Sequence, residues 1–232
     1  MNAKDLLIAL FVPLSWGLGF VAAKSGLDHF PPLLIMSLRF FLSSILLVWF
    51  FPIPKGFVIK IFYIAFVSAS LQYGLTFSGL NILDTSTASL LIQTEVIFGI
   101  LTAAIFLKEM PTKKQIVGIL IACIGTIMLL GTPSIEGKTF GAILVLSGAF
   151  CWALGQVMVR SLNGKVNGFT LICWIGIFSS PQMFIMSFFI DGNPIPFILS
   201  ASFINWFTVF YLGVIMTILG YGAWFYILSK YT

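Results

Sequence analysis

A single carboxylate, Glu95, stands inside an otherwise apolar run over residues 85–107, and a single guanidinium, Arg39, inside another over residues 32–51. An ionisable side chain is costly in hydrocarbon, so each must face a bundle interior or a water-filled cavity, where it is a functional candidate by default. Glu95 has the chemistry to exchange a proton or to hold an ammonium group, and equally to serve as a structural partner. Arg39 can grip a carboxylate through two parallel hydrogen bonds, pair with Glu95, or run its stem outward until the head reaches water. Lys24 closes its apolar run as a mouth or gate residue, or as an ordinary interfacial lysine.

Aromatic and amide groups surround these charges in the sequence. Trp16 with Gly17 and Gly19, and Trp152 with Gly155, place a flat indole beside glycines, which serves close helix packing or the wall of a central cavity. The same choice applies to Tyr73 and Tyr221, whose phenols need a partner if buried. Gln93, Gln72, Asn81 and Gln156 add amides that either bind a ligand or join helices.

No HExxH, Walker, dinucleotide or hydrolase motif is present. Cys123, Cys151 and Cys173 lack metal or redox spacing, and His29 beside Asp28 is too little for a metal site. The expectation is a chain with no catalytic residues, no metal and no cofactor, and therefore not an enzyme.

The elements that position these groups follow from composition. Of 232 residues, 59% are hydrophobic and 8% charged, with mean hydropathy +1.10; a soluble domain carries about 25% charged residues. Apolar spans over 6–23, 32–51, 61–83, 85–107, 115–135, 139–159, 166–190 and 192–229 are each long enough to cross a bilayer. The fold class is thus all-α and polytopic, with eight transmembrane helices. The first carries only Lys4 and Asp5 ahead of it and reads as a retained helix rather than a cleaved leader. Pro13 and Pro181 interrupt the first and seventh helices, and Gly118 with Ala122 and Gly125 offers a close-packing face. Turns fall at Pro52 to Gly56, Asp84 to Thr87, Glu109 to Thr112, Thr132-Pro133-Ser134, Asn163-Gly164-Lys165 and Asp191 to Pro194.

With the N-terminus inside, Lys4, Lys55, Lys60, Lys108, Lys113, Lys114, Arg160, Lys165 and Lys230 fall at cytoplasmic ends, against Lys24 and Lys138 outside. This positive-inside bias places both termini in the cytoplasm. The net charge of +5 therefore reads as topology and contact with anionic membrane lipid, and not as a nucleic-acid surface.

The chain also resembles itself. Ser15-Trp16-Gly17-Leu18-Gly19 matches Cys151-Trp152-Ala153-Leu154-Gly155 at a spacing of 136, and Gln72-Tyr73-Gly74 with Phe77 matches Gly220-Tyr221-Gly222 with Phe225 at 148. Two repeats of five helices would have opposite orientation, an arrangement used by secondary transporters with a midplane site. The repeats would span 1–133, with five helices, and 134–232, with three; counterparts of the fourth and fifth helices are absent. Either the second half is unequal or the chain is truncated, and self-association into a homo-oligomer stays open.

Several short motifs then carry a resemblance. Leu14-Ser15-Trp16-Gly17-Leu18-Gly19-Phe20, Pro31-Pro32, Leu38-Arg39-Phe40, Leu90-Leu91-Ile92-Gln93, Lys108-Glu109 and Gln115-Ile116-Val117-Gly118 resemble the EamA-type branch of the drug/metabolite transporter superfamily. Ala149-Phe150-Cys151-Trp152-Ala153, Gly220-Tyr221-Gly222 and Trp224 resemble its bacterial O-acetylserine/cysteine exporters.

The resemblance implies an inner (plasma) membrane carrier of ten helices, here lacking the last two, that exports small metabolites by alternating access. Its substrate would be a small polar metabolite such as an amino acid or derivative, with a proton as coupling ion. The cavity residues implied are Trp16, Arg39, Tyr73, Gln93, Trp152 and Tyr221, with Glu109 structural. Glu95 occupies a region where the family commonly has proline. Efflux of hydrophobic cations, with Glu95 as counter-charge, is the alternative within transport; a non-transporting membrane scaffold or remnant is the alternative outside it.

Overall fold

The computed structural model describes residues 2–130, 136–162 and 164–231. The turn expected at Thr132-Pro133-Ser134, the repeat boundary between 133 and 134, and Asn163 lie outside the described residues. The helices are α1 (Ala3–Gly26), α2 (Pro32–Leu47), α3 (Val58–Ile82), α4 (Thr85–Leu107), α5 (Lys113–Leu130), α6 (Thr139–Arg160), α7 (Gly168–Ile190), the short α8 (Ile195–Leu199) and α9, which starts at Phe203 and ends in the segment Gly220–Tyr231. Among the described residues, six of these are long and apolar enough to cross a membrane, and α2 is a shorter apolar helix. The protein is an all-α polytopic membrane protein.

The apolar run over 192–229 becomes two helices rather than one. Pro194 and Pro196 fix the start of α8, and extended backbone at Ser202 begins α9. By contrast, α1 and α7 run through Pro13 and Pro181 without ending. Hydropathy also does not reveal the wide π-helical turns at Phe66–Leu71 in α3, Ala103–Leu107 in α4 and Tyr211–Leu219 in α9. Such turns occur frequently at functional sites.

The chain forms two compact units. Residues 1–58 and 167–232 form the first, in which α2 packs on α7 and α1 on α9. Phe30, Leu34, Ile35 and Met36 are fully buried in it. The Ser37 hydroxyl donates to the Ser180 carbonyl at 2.9 Å. The buried stripe of α1 (Asp5, Val12, Ser15, Gly19, Ala23 and Gly26) is mostly small, which allows close backbone approach. A side chain at Gly19 would collide with Met216 of α9.

Residues 59–166 form the second unit, in which α6 packs on α3 and α4. Glycines again set the approach: a Cβ at Gly79 would lie 2.6 Å from the Gly141 carbonyl oxygen, and one at Gly155 would collide with Ser68. Asp84 pairs with Lys138 at 3.3 Å, and Glu109 with Arg160 at 2.9 Å, both at exposed helix ends. The packing role expected for Gly118 and Gly125 is not seen. Among the described residues nothing lies within 4 Å of a Cβ built on either, and the surrounding face of α5 is exposed.

Candidate functional site

In the first unit, Trp16 and Tyr221 come together. Trp16 sits nearly three turns before the end of α1, on the side where Gly220 opens a gap in α9; a Cβ there would be 2.7 Å from the indole Nε1. The indole instead donates to the Met216 carbonyl at 3.3 Å, and its ring lies 5.3 Å from Tyr221 and 6.1 Å from Trp224. The Tyr211 hydroxyl donates to the Ser15 carbonyl at 3.3 Å, closing the cluster from the next turn of α9. Tilted rings at this spacing give a polarisable wall that suits a cation or an apolar group.

Arg39 is fully buried in the same unit. Its Nε donates to the Thr217 hydroxyl at 2.8 Å, its Nη1 lies 3.7 Å from the Met36 sulfur, and its guanidinium carbon stands 5.1 Å from the Phe40 ring centre. Thr217 in turn donates to the Leu212 carbonyl at 2.8 Å, five residues back in the wide turn. The π-helical stretch thus places a hydroxyl where it accepts from Arg39 and donates to the backbone at once. The reading in which Arg39 extends outward to reach water is overturned, because none of the residue is exposed.

In the second unit, Glu95 is half-buried on α4 and Gln93, two residues earlier, is exposed. Between them the helix tightens. The amides of Gln93, Thr94 and Val96 bond three residues back at 3.2, 3.1 and 3.2 Å, and the Thr94 hydroxyl donates to the Leu91 carbonyl at 2.7 Å. Glu95 therefore opens a new helical segment, Glu95–Thr102, where the helix dipole favours negative charge. That segment packs on α6, with Phe98 and Phe150 edge to face at 5.6 Å. Trp152 is half-buried on α6, and Tyr73 is half-buried on α3, 5.8 Å from Phe77. Gln72 is 7% exposed; its Nε2 donates to Thr76 at 3.4 Å, while its Oε1 has no hydrogen-bond partner among the described residues.

Sequence reasoning missed Met216, Thr217 and Tyr211. Their only signal is position, within three turns before Gly220-Tyr221-Gly222 on one helix. It also missed Asp5, which is fully buried although it lies in the first turn of α1. Among the described residues, no group of His, Cys, Asp and Glu could hold a metal ion.

The model of the EamA-like transporter family matches residues 3–131 and 139–232. A protein of Escherichia coli (strain K12) named "Probable amino-acid metabolite efflux pump" is 29% identical over 248 residues, taking in 100% of this chain and 80% of that protein. An "Uncharacterized transporter" of Archaeoglobus fulgidus is 28% identical over 98% of this chain and 81% of its own length. The "Uncharacterized inner membrane transporter YedA" of Escherichia coli is 24% identical over 97% and 73%. No solved structure matches the chain. With its apolar helices and the match over both halves, the chain belongs to the EamA-like transporter family and is a multi-pass membrane transporter.

Proposed function

We propose that this chain exports small polar metabolites, amino acids or derivatives of the cysteine and O-acetylserine type, from the cytoplasm across a bacterial inner membrane. The observation that carries the reading is Arg39, a guanidinium fully buried in a helical bundle and oriented by a hydroxyl. A cation at that depth is costly and suits the carboxylate that every amino acid carries. The Escherichia coli protein named "Probable amino-acid metabolite efflux pump", similar over the whole of this chain, supports the same class. In the first unit, Trp16 and Tyr221 would line the space beside Arg39 in which the rest of the substrate lies; Tyr73, Gln93 and Trp152 are proposed as further substrate contacts of the second unit.

The transport cycle is alternating access between two repeats of opposite orientation, residues 1–133 and 134–232, in the pattern of a ten-helix carrier. Two contacts support the repeat. Gly19 meets Met216 in the first unit and Gly155 meets Ser68 in the second, and these pairs are equivalent at the spacings of 136 and 148. The wide turns at Phe66–Leu71 and Tyr211–Leu219 also correspond at 148. Both termini are cytoplasmic in this reading.

Glu95 carries the coupling proton, taken from one side and released to the other as the site's exposure alternates. Substrate binding and protonation of Glu95 then alternate, so inward proton flow drives efflux. Glu95→Gln should abolish gradient-driven efflux of cysteine from inverted or whole-cell preparations while leaving insertion and exchange intact. Normal gradient-driven efflux in that variant would sink the proton role. The aromatic cluster of Trp16, Tyr221 and Trp224 favours a second reading, efflux of hydrophobic cations.

A further inference from the structure

Asp5 is buried to 0% exposure, and three donors reach it from the last turns of α9. The Tyr226 hydroxyl donates to Oδ1 at 3.0 Å, the Lys230 ammonium to Oδ2 at 2.7 Å, and the Tyr231 hydroxyl to Oδ2 as well. Lys230 also donates to the Tyr226 oxygen at 3.2 Å and lies 5.4 and 5.8 Å from the Tyr226 and Tyr231 ring centres. Asn2 adds a cap, its Oδ1 accepting from the Asp5 amide at 2.8 Å.

This cluster is more than adhesion between two helices. The α1–α9 seam is already held by close packing, with Gly19 against Met216, Gly26 against Thr208, and Ser15 and Trp16 against Gly220. An ion pair with one partner buried adds little to that, because desolvation of Asp5 offsets much of its attraction. What an ion pair supplies that apolar packing does not is two well-separated states, closed on each other or hydrated apart. Lys230 keeps 43% of its side chain exposed, so water can take over its ammonium when the contact opens. The hydrogen bonds from Lys230 to Asp5 and Tyr226 hold that ammonium's pKa well above the usual lysine range, so it stays charged in the closed state.

Eleven residues along α1 separate Asp5 from Trp16, about 16 Å of helix. Val12 lies between them on the buried stripe and is 5% exposed. We propose that Asp5, Tyr226, Lys230 and Tyr231 form a latch that holds one end of the α1–α9 seam shut, and that its release opens the seam toward Trp16 and Tyr221. The latch rests on the alternating-access reading given above.

A cysteine reporter tests it without any substrate. In the full chain, reconstituted in liposomes with Cys123, Cys151 and Cys173 replaced by alanine, Val12→Cys is reacted with a charged, membrane-impermeant methanethiosulfonate. Adding Asp5→Asn should raise the modification rate by roughly 5- to 150-fold, the usual span of a conformational coupling. Tyr231→Phe removes one donor, keeps the ion pair and should raise the rate by a smaller factor; it decides the matter if Asp5→Asn fails to fold. Unchanged rates in the variants that fold, with or without a lower melting temperature, would make the cluster a structural cap and overturn the latch. Failure of cysteine exchange with an intact reporter response would instead count against the proposed substrate alone.

Discussion

Gly79→Ala is a perturbation whose size can be worked out from the backbone. A Cβ at Gly79 would stand 2.6 Å from the Gly141 carbonyl oxygen, 2.6 Å from Val145 Cγ2 and 3.1 Å from the Val145 amide nitrogen. Ordinary contact begins at 3.4 Å, so α3 and α6 must part by about 0.8 Å at their crossing, and no rotamer relieves a clash with backbone. Overpacking of this kind costs about 1–3 kcal/mol. For a chain of this length that corresponds to a fall of about 2–12 °C in melting midpoint. The assay is size-exclusion of a fluorescent fusion in detergent after a temperature ramp. Gly99→Ala on α4 is the control, because among the described residues nothing lies within 4 Å of a Cβ there. If Gly79→Ala melted with Gly99→Ala and the parent, the account of the α3–α6 contact would be refuted.

Other changes probe the first unit. Gly220→Ala presses on the Trp16 indole and should break its bond to the Met216 carbonyl; losing one hydrogen bond, about 0.5–1.5 kcal/mol, predicts roughly two- to tenfold weaker half-saturation in exchange assays. Thr217→Val removes the acceptor for the buried Arg39 Nε and should cost about 1.5–3 kcal/mol in detergent melting, the value of a hydrogen bond to a charged group. Thr217→Ser should restore most of that. Asp191, just past α7, has its carboxyl pKa raised by burial, against opposing hydrogen bonds from Ser187 and the Leu33 backbone. Its stabilising contribution is therefore present below the unfolded pKa and lost as pH rises through the folded one. Asp191→Asn should gain melting temperature over the parent at neutral pH, with the difference closing in acid.

Much of the architecture was legible because hydrophobic length is a strong signal. The span expected at 85–107 matches α4 as Thr85–Leu107, and that expected at 139–159 matches α6 to within a residue. The Trp16–Tyr221 contact joins residues that the internal repeat had already singled out. What stayed hidden was either local hydrogen bonding or partner identity. The tightened turn at Gln93–Thr94 and the wide turns of α3 and α9 leave hydropathy unchanged, because the same apolar residues fill them. Asp5 read as a charge ahead of the first helix, since a sequence does not reveal that Tyr226, Lys230 and Tyr231 return to enclose it. The glycines of α5 read as packing by the same spacing rule that holds on α1, yet among the described residues nothing lies within 4 Å of a Cβ at Gly118 or Gly125.

The claim that this chain is a carrier for amino-acid metabolites is tested most directly by counterflow. The purified protein is reconstituted in liposomes loaded with unlabelled L-cysteine or O-acetylserine, and trace labelled compound is added outside. The account predicts a transient accumulation of label above equilibrium that Arg39→Met and Trp16→Ala abolish without loss of protein. Equal flat traces from the parent protein and from empty liposomes, with both compounds, would contradict it.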